Sequence, residues 1–379
     1  MTGTDFLSEI HLALFFTRGV SLNTWAEVGM LEREAALYRS LRPLMRRITF
    51  VTYGDRRDTR HQDKLQGIDI LCNRQSLPLR WYTFMLTQLF ARQWGGKMIY
   101  KSNQVQGAET ALQAAQNAGR PFIARCGYLL SEFEERRCGA NSQEAQRAAR
   151  LEKMIFTAAN HIIVTTPVMC ASIQQRYNIQ SDKITVIPNY VETDIFQPQE
   201  TDKPPATRHR VCFIGRLEAQ KNPIALLEAL KGSGAQLLVV GNGSLKETMQ
   251  AYAQENNLDV QFLGNLPHRQ LPDVINSADV FILPSLYEGH PKTLIEAMSC
   301  GAAVIGANSP GIREIITHGE NGWLCETDAK SIHDALVALL ADAGLRKRLG
   351  SQARQYALAH FALSQILEME IEVYRKVAA

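Results

Sequence analysis

The chain has 379 residues, 45% of them hydrophobic and 21% charged, with a formal net charge of +3. This composition excludes a disordered, collagenous or simple repeat protein, and the length suffices for two α/β domains with separate cores. Seven cysteines (Cys72, Cys126, Cys138, Cys170, Cys212, Cys300, Cys325) form no Cys-x-x-Cys and no Cys/His cluster with metal spacing, so they read as buried thiols of a reducing compartment.

The first ten residues lack the basic region and cleavage site of a secretory signal, and no stretch has the length of a membrane span. The expectation is a cytoplasmic protein, either soluble or peripheral at the inner face of the cytoplasmic membrane. Residues 1–199 carry 24 Lys/Arg against 18 Asp/Glu. Two explanations stay open for this basic half: attraction to anionic lipid or an anionic acceptor, and ordinary surface charge.

Strands are predicted at 11–16, 48–53, 68–71, 122–124 and 161–164. After the first of them, Thr17-Arg-Gly-Val-Ser21 places Gly19 either in a simple turn or where a diphosphate or reacting sugar could approach. The aromatic stretch from Trp81 to Trp94, edged by Arg80 and Arg92, is a helix that packs in the first domain's core or lies in a membrane interface. Ala124-Arg-Cys-Gly-Tyr128 follows a strand and Ser102-Asn-Gln104 precedes Gly107, which makes Asn103, Arg125 and Tyr128 candidates for holding an acceptor. A polar, Pro-containing break at 197–206 then separates an acceptor-binding domain, 1–198, from a second domain, 207–360. The final segment, 361–379, is an amphipathic helix able to pack back on the first domain.

The second series has strands at 211–214, 235–240, 260–263, 280–283 and 303–305. Short apolar strands alternating with helical segments imply parallel sheets, hence an α/β chain of two doubly wound, Rossmann-like domains facing a cleft. Ligands of such sheets bind beyond the carboxyl ends of the strands. There Gly215-Arg-Leu-Glu-Ala-Gln-Lys-Asn-Pro223 supplies a close turn at Gly215 and two cations, Arg216 and Lys221, that suit a diphosphate. Gly241-Asn-Gly243 permits close backbone approach, and Gly264 ends a strand where a nucleobase could be bordered.

The most informative segment is Ser285-Leu-Tyr-Glu-Gly-His-Pro-Lys-Thr-Leu-Ile-Glu-Ala-Met-Ser-Cys-Gly301. It follows an apolar strand, places Glu288, Gly289 and His290 in the loop, and opens a helix at Pro291, with Glu296 expected about two turns inside it. The helix N-terminus at Pro291, Lys292, Thr293 and Leu294 can hold a diphosphate. Carboxylates on either side are tolerable if sugar hydroxyls donate to them, as a nucleoside diphosphate sugar would allow. Three other Glu pairs share the spacing (Glu144/Glu152, Glu192/Glu200, Glu247/Glu255) and read as solvated faces or loops, so the surrounding strand, Gly, Pro and helix carry the signal. No Asp-x-Asp occurs, so no metal and no cofactor are expected, and charge neutralisation falls to the protein. The absence of Gly-x-Gly-x-x-Gly, a Walker loop and Gly-x-Ser-x-Gly argues against dinucleotide, kinase-type and hydrolase chemistry.

Taken together, Gly215-Arg216 with Lys221-Asn-Pro, Gly241-Asn-Gly243, Ala278-Asp-Val-Phe-Ile-Leu-Pro-Ser285, Glu288-Gly-x-Pro with Glu296-Ala-Met, and Pro310-Gly-Ile-Arg-Glu314 resemble the retaining GT-B glycosyltransferases of family 4. Val186-Ile-Pro-Asn-Tyr-Val-Glu-Thr-Asp-Ile-Phe196 is similar to that family as well. The resemblance is specific over residues 184–326. It implies that Glu288 contacts the donor hexose, Glu296 the ribose, and Arg216 and Lys221 the diphosphate, with metal-independent, front-face transfer that retains configuration. Relatives often carry a His-Asp or similar polar pair where this chain has Arg125-Cys-Gly-Tyr128, and a Gly-Gly loop where it has the single Gly19. The expected activity is transfer of a hexose from a UDP-sugar, or alternatively a GDP-sugar, to a glycan or lipid-linked acceptor in surface polysaccharide or glycolipid synthesis. A sugar-nucleotide epimerase or hydrolase on the same fold and a non-catalytic subunit are the other readings.

Overall fold

A computed structural model describes residues 6–90, 96–199 and 208–378. The chain divides into two compact units: Met1–Pro188 together with Ile366–Ala379, and Asn189–Gln365. The first holds a seven-stranded parallel sheet, β1 (Ile10–Phe15), β2 (Arg47–Val51), β3 (Asp69–Leu71), β4 (Lys97–Ser102), β5 (Phe122–Cys126), β6 (His161–Val164) and β7 (Ile184–Val186), in the order β3-β2-β1-β4-β5-β6-β7. The second holds six parallel strands, β8 (Arg210–Ile214), β9 (Gln236–Val240), β10 (Val260–Gly264), β11 (Val280–Leu283), β12 (Ala303–Ala307) and β13 (Trp323–Cys325), in the order β10-β9-β8-β11-β12-β13. Each order reverses once, between β1 and β4 and between β8 and β11, and such switch points are where doubly wound sheets bind ligands.

β1, β11 and β12 are buried along their whole length, as in parallel sheets covered on both faces; β11 and β12 are unbroken apolar runs, and β1 is interrupted only by His11. Three strands escape the sequence reading. β7 and β13 are three-residue edge strands, and β4 carries Lys101 in its interior. Lys101 is fully buried, yet its Nζ donates to both Glu370 oxygens (2.8 and 2.6 Å) and to the Tyr374 hydroxyl (3.0 Å). Those partners come from the last helix, Leu363–Ala378, which returns the needed counter-charge to β4 from 269 residues away.

Other expectations change as well. Five cysteines are buried, but Cys138 is exposed and Cys170 partly so. Glu152 does not lie on a solvated face: it is fully buried, accepting from Ser131 N (3.1 Å), Ser131 Oγ (2.6 Å) and Tyr177 Oη (2.5 Å) at the start of helix Leu130–Cys138. Burial raises its carboxyl pKa above the ordinary range, against the lowering effect of these donors. The aromatic stretch forms helix Leu79–Met85 with a π-helical turn, Leu86–Phe90. Only one face is core, with Tyr82 and Leu86 buried while Leu79, Trp81 and Phe84 are about half exposed. Arg92, Trp94, Glu200 and the 200–206 part of the predicted break lie outside the described residues.

Candidate functional site

The second unit's candidate residues gather at its switch point. The loop after β8 carries Gly215, Arg216 and Lys221, and the loop after β11 carries Glu288. Lys221 Nζ donates to Glu288 Oε1, and both side chains are largely buried (12% and 9% exposed). The loops are also stitched by backbone: Leu286 N donates to Gln220 O (2.9 Å) and Gln220 Nε2 to Tyr287 O (2.8 Å). Gly215 packs beside the Lys221 stem, and a Cβ there would press on the Phe213 ring at 3.3 Å while making only ordinary contact with Lys221 Cε at 3.6 Å. Arg216 is exposed, with Nη2 3.4 Å from Gln220 Oε1, so the second cation stands at the open side of the same loop.

Glycine is required at two of these turns. Gly241 has φ +134°, and a Cβ there would fall 1.9 Å from Gly215 O; its N–H donates to Gly264 O (2.8 Å), chaining the ends of β8, β9 and β10 together. Gly311 has φ +83°, and a Cβ would meet Glu288 O at 2.5 Å, while Glu288 N donates to Pro310 O (2.9 Å). The Pro310-Gly311 turn therefore backs Glu288 directly.

Helix Lys292–Ser299 begins one residue later than predicted, with Pro291 as its N-cap. Glu296, four residues after Lys292, sits about one turn in, not two. Gly289 is half-buried, His290 and Pro291 are buried, and Lys292 and Thr293 are partly exposed ahead of the buried Leu294. The amides that open any helix lack intrahelical acceptors, so this end presents N–H groups and positive potential beside Glu288 and Lys221. Glu296 is 1% exposed and its Oε1 lies 2.9 Å from His268 Nε2, which places the second carboxylate on a buried histidine. Among the described residues His268 Nδ1 has no hydrogen-bond partner, so the tautomer with hydrogen on Nε2 fits this contact.

Three supporting residues have no mark in the motif itself. Asn189 Nδ2 donates to His290 O (2.7 Å), Tyr190 lies under Lys292 Nζ (5.8 Å to the ring centroid), and the Phe196 ring packs on His268 (4.8 Å between centroids). All three belong to the segment 186–196 that resembles the family, and that resemblance was the available signal.

The first unit's candidates also meet at a switch point. Gly19 (φ +79°) lies in the turn closed by Val20 N→Thr17 O (2.9 Å) after β1, and Asn103 N donates to Phe15 O (2.8 Å) after β4. Arg125, near the end of β5, has Nη1 3.5 Å from Asn103 O, while Tyr128 packs its ring on Phe133 (4.7 Å). Asn103 and Arg125 are thus neighbours, whereas the Tyr128 ring is engaged on the helix that follows. Among the described residues no group of three His, Cys, Asp or Glu side chains is placed to hold a metal ion.

Comparison with known proteins agrees with this architecture. Residues 35–195 match the model for Glycosyltransferase Family 4, and residues 196–356 match that for Glycosyl transferases group 1. The alpha-maltose-1-phosphate synthase of Mycolicibacterium smegmatis is 26% identical over 262 residues, covering 62% of this chain and 67% of the relative. The D-inositol 3-phosphate glycosyltransferase of Xylanimonas cellulosilytica is 29% identical over 244 residues, 59% of this chain and 58% of the relative, so the match spans between about half and two-thirds of such proteins. Among solved structures, the sucrose-phosphate synthase of Thermosynechococcus elongatus superposes with a TM-score of 0.79 at 21% identity, over 97% of this chain and 98% of the other. HepE of Anabaena, solved with UDP and glucose, gives 0.77 at 18% identity over 96% and 99%. With both units matched and the two-sheet architecture shared, the chain belongs to the GT-B glycosyltransferases of family 4.

Proposed function

We propose that this glycosyltransferase moves a hexose, with retention of configuration and without a metal, from a nucleoside diphosphate sugar to a glycan or lipid-linked acceptor, in the cytoplasm or against the inner face of the membrane. The observation that carries the reading is the Lys221–Glu288 pair beside the start of helix Lys292–Ser299, at the second unit's switch point. Binding would place the diphosphate against the helix N-terminus, Lys221 and Arg216, with Glu288 accepting from hexose hydroxyls and Glu296 serving the ribose. Donor charge would draw Lys221 away from Glu288 and free that carboxylate for the sugar. A UDP-sugar is favoured over a GDP-sugar because a structural neighbour, HepE, was solved with UDP.

In the reaction the bond between the hexose C1 and the β-phosphate oxygen breaks, and its electrons leave with the diphosphate. The acceptor hydroxyl forms the new glycosidic bond on the same face, and its proton passes to the departing phosphate oxygen. Lys221 and Arg216 stabilise the charge growing on that oxygen, and loss of one such donor costs about 3–4 kcal/mol of transition-state stabilisation, roughly a hundred- to a thousand-fold in rate. Asn103 and Arg125 are the acceptor-side candidates, with Gly19 allowing close approach of donor or acceptor beside them and Tyr128 at the edge.

The test is nucleotide release from a panel of UDP- and GDP-sugars, with and without acceptor glycans and in EDTA. Arg216→Ala and Glu296→Ala should abolish transfer in folded protein. Full activity in either variant defeats the site assignment, and activity lost in EDTA and restored by Mg²⁺ defeats the metal-free mechanism. Donor consumption that never needs an acceptor would identify a hydrolase or epimerase instead.

A further inference from the structure

We propose that helix Leu79–Met85 and the two clefts beside it form a docking surface for an anionic lipid bilayer. This deepens the membrane-side reading above, but it stands apart from the transfer reaction because vesicle binding needs neither donor nor acceptor.

The helix is amphipathic and held fast. Its inner face is fixed by Tyr82, whose hydroxyl donates to Thr52 O (2.9 Å). Its outer face exposes Leu79 (47%), Trp81 (52%) and Phe84 (52%), with Trp81 and Phe84 edge to face at 6.3 Å and the Arg80 guanidinium 6.0 Å from the Trp81 ring. Three large apolar side chains half in water on one short helix leave an apolar area that calls for a partner.

A cleft adjoins each flank. One, of about 300 Å³, is lined by Ile70, Leu71, Leu77, Tyr82 and Met85, with exposed Arg74 among its lining residues. The other, of about 290 Å³, is mainly polar, with Phe84 beside Arg80, Thr83 and the Arg18–Glu109 ion pair. Arg74 and Arg80 are both exposed, and the nearest carboxylates in sequence are Asp69, ion-paired with Arg47, and Glu109, ion-paired with Arg18. Aromatic side chains that bury at the acyl boundary, an apolar cleft on one flank and the exposed guanidinium groups of Arg74 and Arg80 are complementary to anionic headgroups over hydrocarbon. Among the described residues no helix is long and apolar enough to cross the membrane, so the contact is with the surface.

The test is flotation of the full-length protein with phosphatidylcholine vesicles, with and without phosphatidylglycerol. Wild type should float only with the anionic vesicles and dissociate in high salt. Trp81→Ser/Phe84→Ser should weaken binding about tenfold or more, Trp81→Phe should retain it, and Arg74→Glu/Arg80→Glu should remove the response to phosphatidylglycerol. Unchanged melting temperatures exclude misfolding, since all four side chains are exposed. No flotation, equal binding to neutral vesicles, or a Ser/Ser variant that floats like wild type would each overturn the proposal. So would self-association without vesicle binding that the Ser/Ser variant disrupts, which would make this face an interface between copies of the chain.

Discussion

Replacing Lys101 with Met should loosen the last helix from the first unit. Lys101 and Glu370 side chains are 0% and 2% exposed, the ammonium makes two carboxylate bonds and one to Tyr374, and it lies 5.5 and 5.3 Å from the Tyr38 and Tyr374 rings. Burial lowers the lysine's pKa despite the opposing pull of Glu370. Lys101→Met leaves the Glu370 charge buried without its partner, which costs about 3–5 kcal/mol. For a unit of this size that corresponds to roughly 6–20 °C in melting temperature. Adding Glu370→Leu should recover most of the loss, because an apolar pair of similar volume commonly equals a buried ion pair; the Tyr374 hydroxyl then loses one partner, about 1 kcal/mol. Amide hydrogen exchange over residues 366–376, with thermal unfolding of the four proteins, measures the cycle. A coupling below about 1 kcal/mol, with the double variant as unstable as the sum of the singles, would refute the reasoning.

Acid should weaken the first unit selectively. His11 and His161 are buried on β1 and β6, each 2.8 Å from a threonine on the adjacent strand (Thr49 and Thr185), and burial lowers both imidazoles from 6.5 to about 4. The folded state prefers the neutral ring, so this stabilisation is complete above about pH 6.5 and is lost as pH falls through about 4. It is on the order of 3 kcal/mol for each histidine. His11→Gln/His161→Gln should flatten the dependence of melting temperature between pH 7 and 4.5, and an unaltered slope would contradict it. In the second unit, Gly241→Ala should raise the dissociation constant for the donor nucleotide at least about tenfold, because backbone at Gly215 or Gly241 must move. Calorimetry with UDP and GDP would detect this, and wild-type affinity in the variant would show that the two turns are not part of the site.

The strand, loop and helix that carry the proposed donor half were legible because their devices are local. An apolar run, a glycine turn and a proline-opened helix occupy consecutive residues, so sequence order alone put Glu288, Pro291 and Glu296 on one loop and helix. Spacing between the carboxylates carried nothing by itself: Glu152, eight residues after Glu144, proved to cap a helix from the buried side while Glu144 is exposed. What the sequence hid was charge resolved at long range. β4 looked interrupted by Lys101 until Glu370 was brought to it, and the brief edge strands β7 and β13 have too few residues to show a period.

The same distinction explains why the supports of the donor helix were missed. Asn189 reaches His290 across 101 positions, and His268 reaches Glu296 across 28. Neither is recognisable by type, since a buried Asn or His is more often a satisfied structural residue than a functional one. Their meaning comes from what they hold: Asn189 fixes the carbonyl just ahead of the helix start, and His268 fixes the carboxylate one turn inside it. A helix end can receive a diphosphate only if its first amides keep their direction while charge arrives, so under the proposed function rigidity at His290 and Glu296 is part of the site's electrostatics. In the proposed site the motif supplies the groups that would meet the donor, and residues recruited from the connecting segment and from the loop after β10 hold those groups in place.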